Sequence, residues 1–427
     1  MRTYRELFRT PEFTPLFAAG SVQVAASTVS GLALATLVYS DTRSPLLSAL
    51  SMFGPSLAQM LGAAFLLSAA DRLRPRAALA GVALSFGLGT AATAVPGLPT
   101  WAIFAVLAAE GLIASAGGGV RYGLLTEILP KDGYMLGRSV MNMATGVMQI
   151  LGFGIGGLLV NLLSPRGSLL AAAGLSVSSA MVARFGLSNR APRVTGRPSP
   201  AETCRVNAQL WSSAARRYVY IALWVPNGLI VGCEALFVSY DSRHAGLLFA
   251  FTAFGMLIGD TLTGRFVPQW WRQRLGAPLR LLLAVPYLLF ALHPALPVAV
   301  AAVTLASVGY AASLMLQERL IALTPDQVQG QALGLHSSGT VALQGVGAAI
   351  AGAIAQHTSA ATAMTVMAAA SVTVTLSVAR GLRPSPADSA ERGLAEPVQP
   401  LEGRSSRIGA PSRNASMSSI ASPKARS

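Results

Sequence analysis

Apolar runs of about twenty residues, the length of helix that crosses the hydrocarbon core of a bilayer, recur along this chain between short polar breaks. Only 11% of the 427 residues are charged and the mean hydropathy is +0.54, so most of the chain is suited to lipid rather than to water. We therefore predict an all-α membrane protein with twelve transmembrane helices. The predicted spans are 14–38, 45–69, 77–95, 100–122, 140–162, 167–185, 217–239, 245–264, 279–293, 298–317, 333–356 and 360–379.

One long polar break divides these spans into two groups of six. The predicted organisation is a cytoplasmic N-terminus at 1–13, a six-helix bundle at 14–185, a central cytoplasmic loop at 186–216, a second six-helix bundle at 217–379 and a cytoplasmic tail at 380–427. The tail is polar and rich in Pro, Ser and Arg, a composition that predicts disorder. No small-residue cleavage site closes the first apolar run, so we interpret it as a span and not as a cleaved signal.

Basic residues are distributed unevenly between the loops. With twelve spans, 29 of the 32 Lys and Arg residues fall on one side of the membrane, and Arg280 is counted among them. Arg43, Arg166 and Arg243 fall on the other side. Because basic loops stay in the cytoplasm, both termini are predicted to be cytoplasmic, in a cell membrane. This distribution accounts for the net charge of +15 without nucleic acid as a partner.

The two halves of the chain resemble each other, at a shift of 193 residues in one block and 195 in the next. Chance accounts for a single match between small residues, but less readily for Arg and Pro at matching loop positions. Two like six-helix halves are typical of transporters, with the substrate site near the midplane between them. The corresponding pairs include Gly62 and Gly255, Arg72 and Arg265, Pro75 and Pro268, Gln149 and Gln344, Gly152 and Gly347, and Gly157 and Gly352.

Three short motifs lie in the first half. The break after the second span reads LSAADRLRPR at 67–76, the fifth span contains GFGIGG at 152–157, and the fourth contains the pair Glu110 and Gly111. In the arrangement of its spans and in these motifs, the chain resembles the major facilitator superfamily over residues 1–380.

The resemblance differs in strength from motif to motif. Asp71, Arg72 and Arg76 match the family's loop motif G-x-x-x-D-R-x-G-R-R/K. Phe153 stands at the proline of the family's antiporter motif G-P-x-x-G-G, and Leu107 stands at the arginine of its fourth-helix motif. The resemblance implies two pseudo-symmetric six-helix bundles, with helices one, four, seven and ten lining a central cavity. It also implies secondary transport, of the drug or natural-product efflux type.

The charged loop at 67–76 has two interpretations. Asp71 can accept hydrogen bonds from a neighbouring helix N-terminus, while Arg72 and Arg76 anchor the turn at the cytoplasmic interface. Such a loop would hold the halves together and release when they rock, and Arg265 lies at the corresponding point of the second half. The alternative is that the arginines serve only as topology signals.

The glycines of the fifth span also allow two interpretations. Gly152, Gly156 and Gly157 can let two helices approach closely, or they can allow a bend. We favour close packing.

Few charges lie inside the predicted spans. Glu110 is near the middle of the fourth span, Glu234 in the outer half of the seventh, and Asp260 near the inner end of the eighth. Desolvation favours the neutral form of a carboxyl group, so such an acid can bind and release a proton as a cavity opens to either side. The alternative is a protonated acid that only hydrogen-bonds to a neighbouring helix.

Polar stripes follow several spans at helical spacing. Tyr220, Asn227 and Glu234 recur at intervals of seven, Gln23 lies on the first span, and Gln149 on the fifth. These side chains either line a cavity or form helix–helix hydrogen bonds, which are worth about 0.6 kcal/mol each. A proline, Pro226, precedes Asn227 and is expected to kink the seventh span and to free backbone carbonyls for a ligand or a neighbouring side chain.

These features together favour a secondary active transporter. No G-x-x-x-x-G-K-[ST] stretch for ATP is present, and no enzyme site, cofactor or metal site is expected. We expect proton-coupled export of a small amphipathic organic compound by a monomer in the lipid bilayer of a bacterial inner membrane. The alternatives are a facilitator or symporter for a sugar or an organic anion, and a membrane sensor of the same fold. We expect no Arg or Lys at mid-membrane in these spans, which argues against an anion carrier.

Overall fold

The computed structural model describes residues 4–70, 74–191, 200–325 and 328–381. These residues are almost entirely helical. The helices are α1 (Tyr4–Arg9), α2 (Phe13–Thr42), α3 (Pro45–Ala70), α4 (Pro75–Thr93), α5 (Thr100–Ile128), α6 (Lys131–Leu163), α7 (Pro165–Gly186), α8 (Pro200–Ser212), α9 (Ala214–Glu234), α10 (Phe237–Tyr240), α11 (Ala245–Phe266), α12 (Gln269–Ala284), α13 (Leu296–Val308), α14 (Ala312–Ala322), α15 (Gln329–His357) and α16 (Ala360–Gly381). Short 3-10 segments, Val285–Leu292 and Gly309–Ala311, continue α12 and join α13 to α14.

Every predicted span coincides with one helix or with a run of consecutive helices. The seventh span is α9 and α10, the ninth is α12 with its 3-10 continuation, and the tenth runs from α13 to α14. Within the described ranges, nine helical segments are long and apolar enough to cross a membrane. The all-α membrane architecture predicted from the sequence is confirmed. The crossing of all twelve segments stays a prediction.

The helices form two halves, α2–α7 and α9–α16, and residues related by the sequence repeat make equivalent contacts. Gly62 of α3 lies against α5, where an added Cβ would stand 2.7 Å from Ser115 Oγ. Its counterpart Gly255 of α11 lies against Thr304 of α13. Both contacts join the second span of a half to the fourth span of that half.

A second repeated pair shows the same equivalence. Gly152 of α6 lies against Thr28 of α2, and a Cβ added at Gly152 would lie 2.8 Å from the threonine Cβ. Gly347 of α15 lies against the Gly228 carbonyl of α9. The fifth span of each half therefore packs on the first span of that half through a glycine, as a structural repeat requires.

The basic residues separate to two ends of the bundle. At one end Arg190 contacts Glu12 at 3.2 Å and Glu127 at 4.0 Å, and we call this the basic end. At the other end, the sparse end, Arg166 pairs with Asp41 at 3.7 Å. Arg190 and Arg166 thus lie at opposite ends, as the loop assignment made from the sequence requires of these two residues. Which end faces the cytoplasm stays a prediction.

The two halves meet along a seam, in which α3 packs on α15 and α6 packs on α11. At the sparse end Ser44 Oγ donates to Gln356 Oε1 at 2.7 Å, and Asn161 donates to the Arg243 carbonyl at 3.2 Å. Nearer the middle, the rings of Phe153 and Phe249 stack across the seam, 4.7 Å between centroids. The two halves thus contact each other at the sparse end and toward the middle of the seam.

Candidate functional site: the seam and its buried carboxyls

Glu110 lies in the first half, at the contact between α5 and α4. Its carboxyl occupies the space that a side chain at Gly89 would fill, and only 8% of the residue is exposed. Among the described residues, Glu110 Oε1 has no hydrogen-bond partner. The neighbouring Gly111 packs on α3 near Pro55, so the two residues of the motif face different helices. Glu110 is thus a buried acid with one unpartnered carboxyl oxygen among the described residues.

Glu234 lies in the second half, at the last residue of α9. The residue is 7% exposed, and the Tyr310 hydroxyl donates to its Oε1 at 2.8 Å. Tyr310 belongs to the 3-10 turn between α13 and α14, so this bond links the seventh and tenth spans. An apolar core that includes Phe237 and Tyr287 surrounds the pair. Tyr310 was not identified from the sequence, because nothing in a chain pattern pairs residues 76 positions apart.

The polar stripe on α9 divides between two partners. Tyr220 donates to the Ala332 carbonyl of α15 at 3.3 Å, and Asn227 Oδ1 accepts from Gln344 Nε2 of α15 at 3.2 Å. Glu234, at the end of the stripe, instead accepts from Tyr310. The stripe therefore does not converge on one site, and its first two members bond to the neighbouring helix.

Trp224 lies on the same face of α9 and was not among the predicted site residues. Its indole donates to the His336 carbonyl of α15 at 3.1 Å, and the ring lies over Gly339. Its position four residues after Tyr220 is the signal that would have placed it there. Trp224 also stacks on Trp211 of α8, 5.6 Å between centroids.

The predicted glutamines lie on α2 and α6 and are both half-buried. Gln23 Oε1 is buried without a hydrogen-bond partner among the described residues.

The predicted glycines lie on α6, the helix of Gln149. A Cβ added at Gly156 would lie 3.3 Å from the Val29 Cα of α2. Gly157 faces the other half, where an added Cβ would stand 2.9 Å from the Gly246 Cα of α11. Gly157 and Gly246 mark the closest approach of α6 to α11 at the seam.

The predicted gating residues are described only in part. Asp71 and Arg72 lie outside the described residues. Arg76 is the second residue of α4 and is half-buried. Arg265 is an exposed residue in the last turn of α11, beside the ring of Phe266. The structure does not bring Arg76 and Arg265 into contact with each other.

Two arginines lie deeper than the sequence analysis places them. Arg280 is counted there with the loops, but it belongs to α12 and is 3% exposed. Arg121 lies two turns inside α5, where its guanidinium stands 3.2 Å from the position of an added Cβ at Gly20 of α2. Both arginines lie near an end of a predicted span, 100–122 or 279–293, and the expectation that no Arg or Lys lies at mid-membrane stays a prediction.

Solved structures share this fold at low sequence identity. A mutant of the nucleoside transporter NupG aligns with a TM-score of 0.75 at 11% identity, over 87% of this chain and 99% of that one. A bacterial homolog of the human lysosomal transporter Spinster aligns with 0.66 at 14% identity, over 90% and 97%. A POT family transporter in complex with a thioalcohol-conjugated peptide aligns with 0.69 at 10% identity, over 87% and 96%.

The sequence comparisons concern the family alone. No curated protein matches the sequence at a significant level. Residues 16–242, more than half of the chain, match the family model described as Major Facilitator Superfamily. The protein is a multi-pass membrane transporter, and the chain belongs to the major facilitator superfamily.

Proposed function

We propose that this transporter exports a small amphipathic organic compound from a bacterial cell in exchange for protons. The family match supports transport, and the similar solved structures are named as transporters of nucleosides and of peptides. The direction, the coupling ion and the compound are our inference from the residues of the two halves.

One observation carries the proton coupling: each half holds one carboxyl that is more than nine-tenths buried, Glu110 and Glu234. In the described part of the chain, neither of them has a basic partner. An unpaired carboxylate at this depth is costly, and protonation removes that cost. A carboxyl that meets water in one state and is sealed in the other would move one proton per cycle.

The composition of the seam supports an amphipathic substrate. Its described contacts include the stacked rings of Phe153 and Phe249, and α15, one of the helices of the seam, carries the amide of Gln344. Ligand sites for amphipathic compounds combine largely apolar walls with a few placed polar groups. A sugar would require a denser set of hydrogen-bonding groups than these helices offer.

The contacts between the halves at the sparse end support alternating access. Glycines at the Gly157–Gly246 crossing bring the backbones of α6 and α11 together. Rocking of one half on the other would open this end and close the basic end. With the predicted topology, the sparse end faces away from the cytoplasm, and an exporter loads its substrate from the cytoplasm.

The test is proton-driven flux in vesicles with a panel of lipophilic cations, neutral natural products, sugars and organic anions. Glu110→Gln and Glu234→Gln remove the titratable proton at nearly unchanged shape. We expect each to abolish flux driven by the pH gradient while substrate exchange without a gradient continues. Asp41→Asn is the matched control, since Asp41 is a carboxyl whose side chain is 53% exposed. Unchanged gradient-driven flux in both glutamine variants would contradict the coupling.

Export of an organic anion is a second candidate, because the structure packs an arginine, Arg121, among helices of the first half. Arg121 lies between Gly20 of α2 and Met141 of α6, helices of the first half that adjoin the seam. Preferential flux of the anionic compounds in the same panel would favour this candidate. A sensor of this fold would carry none of the compounds.

A further inference from the structure

Pro226 leaves one backbone carbonyl of α9 without its helical partner. In an α-helix the N–H of residue 226 would donate to the carbonyl of Ala222, but proline has no N–H. Both residues are buried inside the second half. A buried carbonyl without a donor is unfavourable, most of all in a membrane, where water does not compensate.

Arg280 supplies the missing donor from another helix. Its Nη1 donates to the Ala222 carbonyl at 3.1 Å, and its Nε lies 3.4 Å from the Gly276 carbonyl of its own helix α12. The side chain is buried, and in the described part of the chain no carboxylate lies within ion-pair distance of it. The guanidinium is therefore directed at backbone carbonyls.

An arginine at this position has a cost that a structural role must offset. Burial of a charged side chain in a membrane-spanning helix is unfavourable, and such residues usually have a specific partner. A guanidinium has several donors in a fixed geometry, so it can bond two carbonyls at once. The carbonyl that Pro226 frees is consequently occupied and is not free for a ligand.

We propose that Arg280 is a positioning residue that replaces the hydrogen bond removed by Pro226 and thereby fixes the middle of α9 against α15. The residue after the proline, Asn227, bonds to Gln344, and the next, Gly228, lies against the Leu343 carbonyl. A shift of α9 at Ala222 would displace both of these contacts. Arg280 thus acts on α9 without touching the seam.

The test is a rescue experiment on the full-length protein in detergent and in vesicles. Arg280→Met leaves the Ala222 carbonyl without a donor, and we expect a lower melting temperature and a flux reduced about tenfold. Pro226→Ala restores a backbone N–H to that carbonyl. In the Arg280→Met background we expect it to recover both the melting temperature and the flux, whereas a merely space-filling arginine would not be rescued.

Two further variants make the result specific. Arg280→Lys keeps one charged donor, so its melting temperature is expected between those of the wild type and Arg280→Met, which preserves the test if Arg280→Met does not fold. Gly255→Ala disturbs the distant contact with Thr304, and Pro226→Ala is not expected to rescue it. Wild-type behaviour of Arg280→Met, failure of the rescue, or equal rescue of Gly255→Ala would each overturn the proposal. None of these outcomes depends on protons as the coupling ion.

Discussion

At the scale of single residues, glycines determine how closely neighbouring helices can pack. At the contact between α9 and α15, Gly228 lies against the Leu343 carbonyl, Gly232 against the Gly347 carbonyl and Gly347 against the Gly228 carbonyl. Close approach of this kind is how helices associate in lipid, where no hydrophobic force drives them together. The repeat in the sequence predicted Gly347 as a counterpart of Gly152, but not that Gly228 would face it.

Gly347→Ala is expected to destabilise the protein by about 1–3 kcal/mol, because the added methyl would clash with the Gly228 carbonyl and backbone cannot move aside cheaply. The measurement is the melting temperature of the purified protein. Gly334→Ala on the same helix is the matched control. No atom lies within 4 Å of an added Cβ at Gly334, so this variant is expected to be neutral or slightly stabilising. Equal melting temperatures for the two variants would contradict this account of the α9–α15 contact.

At the scale of helices, the seam is formed mainly by α3 on α15 and α6 on α11, with a further contact between α2 and α10, where Tyr39 donates to the Ser239 carbonyl at 3.4 Å. Glu110 and Glu234 do not belong to these contacts, since one lies between α4 and α5 and the other beside Tyr310. The two carboxyls lie inside the halves, whereas the surfaces that must separate during transport lie between the two halves. Proton binding would therefore influence transport by changing the packing inside a half.

A cross-link at the sparse end tests whether this part of the seam must open. With Cys204 and Cys233 replaced by alanine, Ser44→Cys and Gln356→Cys would be joined by a short cleavable thiol reagent. The wild-type side chains are 2.7 Å apart and belong to different halves, so we expect the link to stop flux and its cleavage to restore it. Asp41→Cys with Arg166→Cys is the control, because that pair joins two helices of one half at the same end. Continued flux through the first cross-linked protein would rule out opening at this end.

At the scale of the whole molecule, the positions of the loops divide the basic residues between two ends. The structure places Arg166 at the sparse end with Asp41, and Glu12, Glu127 and Arg190 together at the basic end. The prediction that the basic end is cytoplasmic follows from the bias of Lys and Arg toward cytoplasmic loops. Transport direction depends on this orientation.

Labelling of single cysteines with an impermeant thiol reagent measures the orientation directly. In intact cells, we expect Arg43→Cys and Arg243→Cys to react, and Arg76→Cys to react only after the membrane is opened. The cysteine-free protein is the control. Reaction of Arg76→Cys and Arg243→Cys from the same side would contradict the twelve-span topology.

The sequence by itself determined the helical membrane architecture, the places of the helices and the positions of Glu110 and Glu234 within them. Partition between lipid and water acts on each segment separately, so local composition is enough to predict these features. The partners were decided only by the tertiary structure. Tyr310 beside Glu234, Arg280 on the Ala222 carbonyl and the bonds from Tyr220 and Asn227 to α15 depend on which helices meet and at which rotation. That choice is made by packing between segments distant in the chain, which no local pattern records.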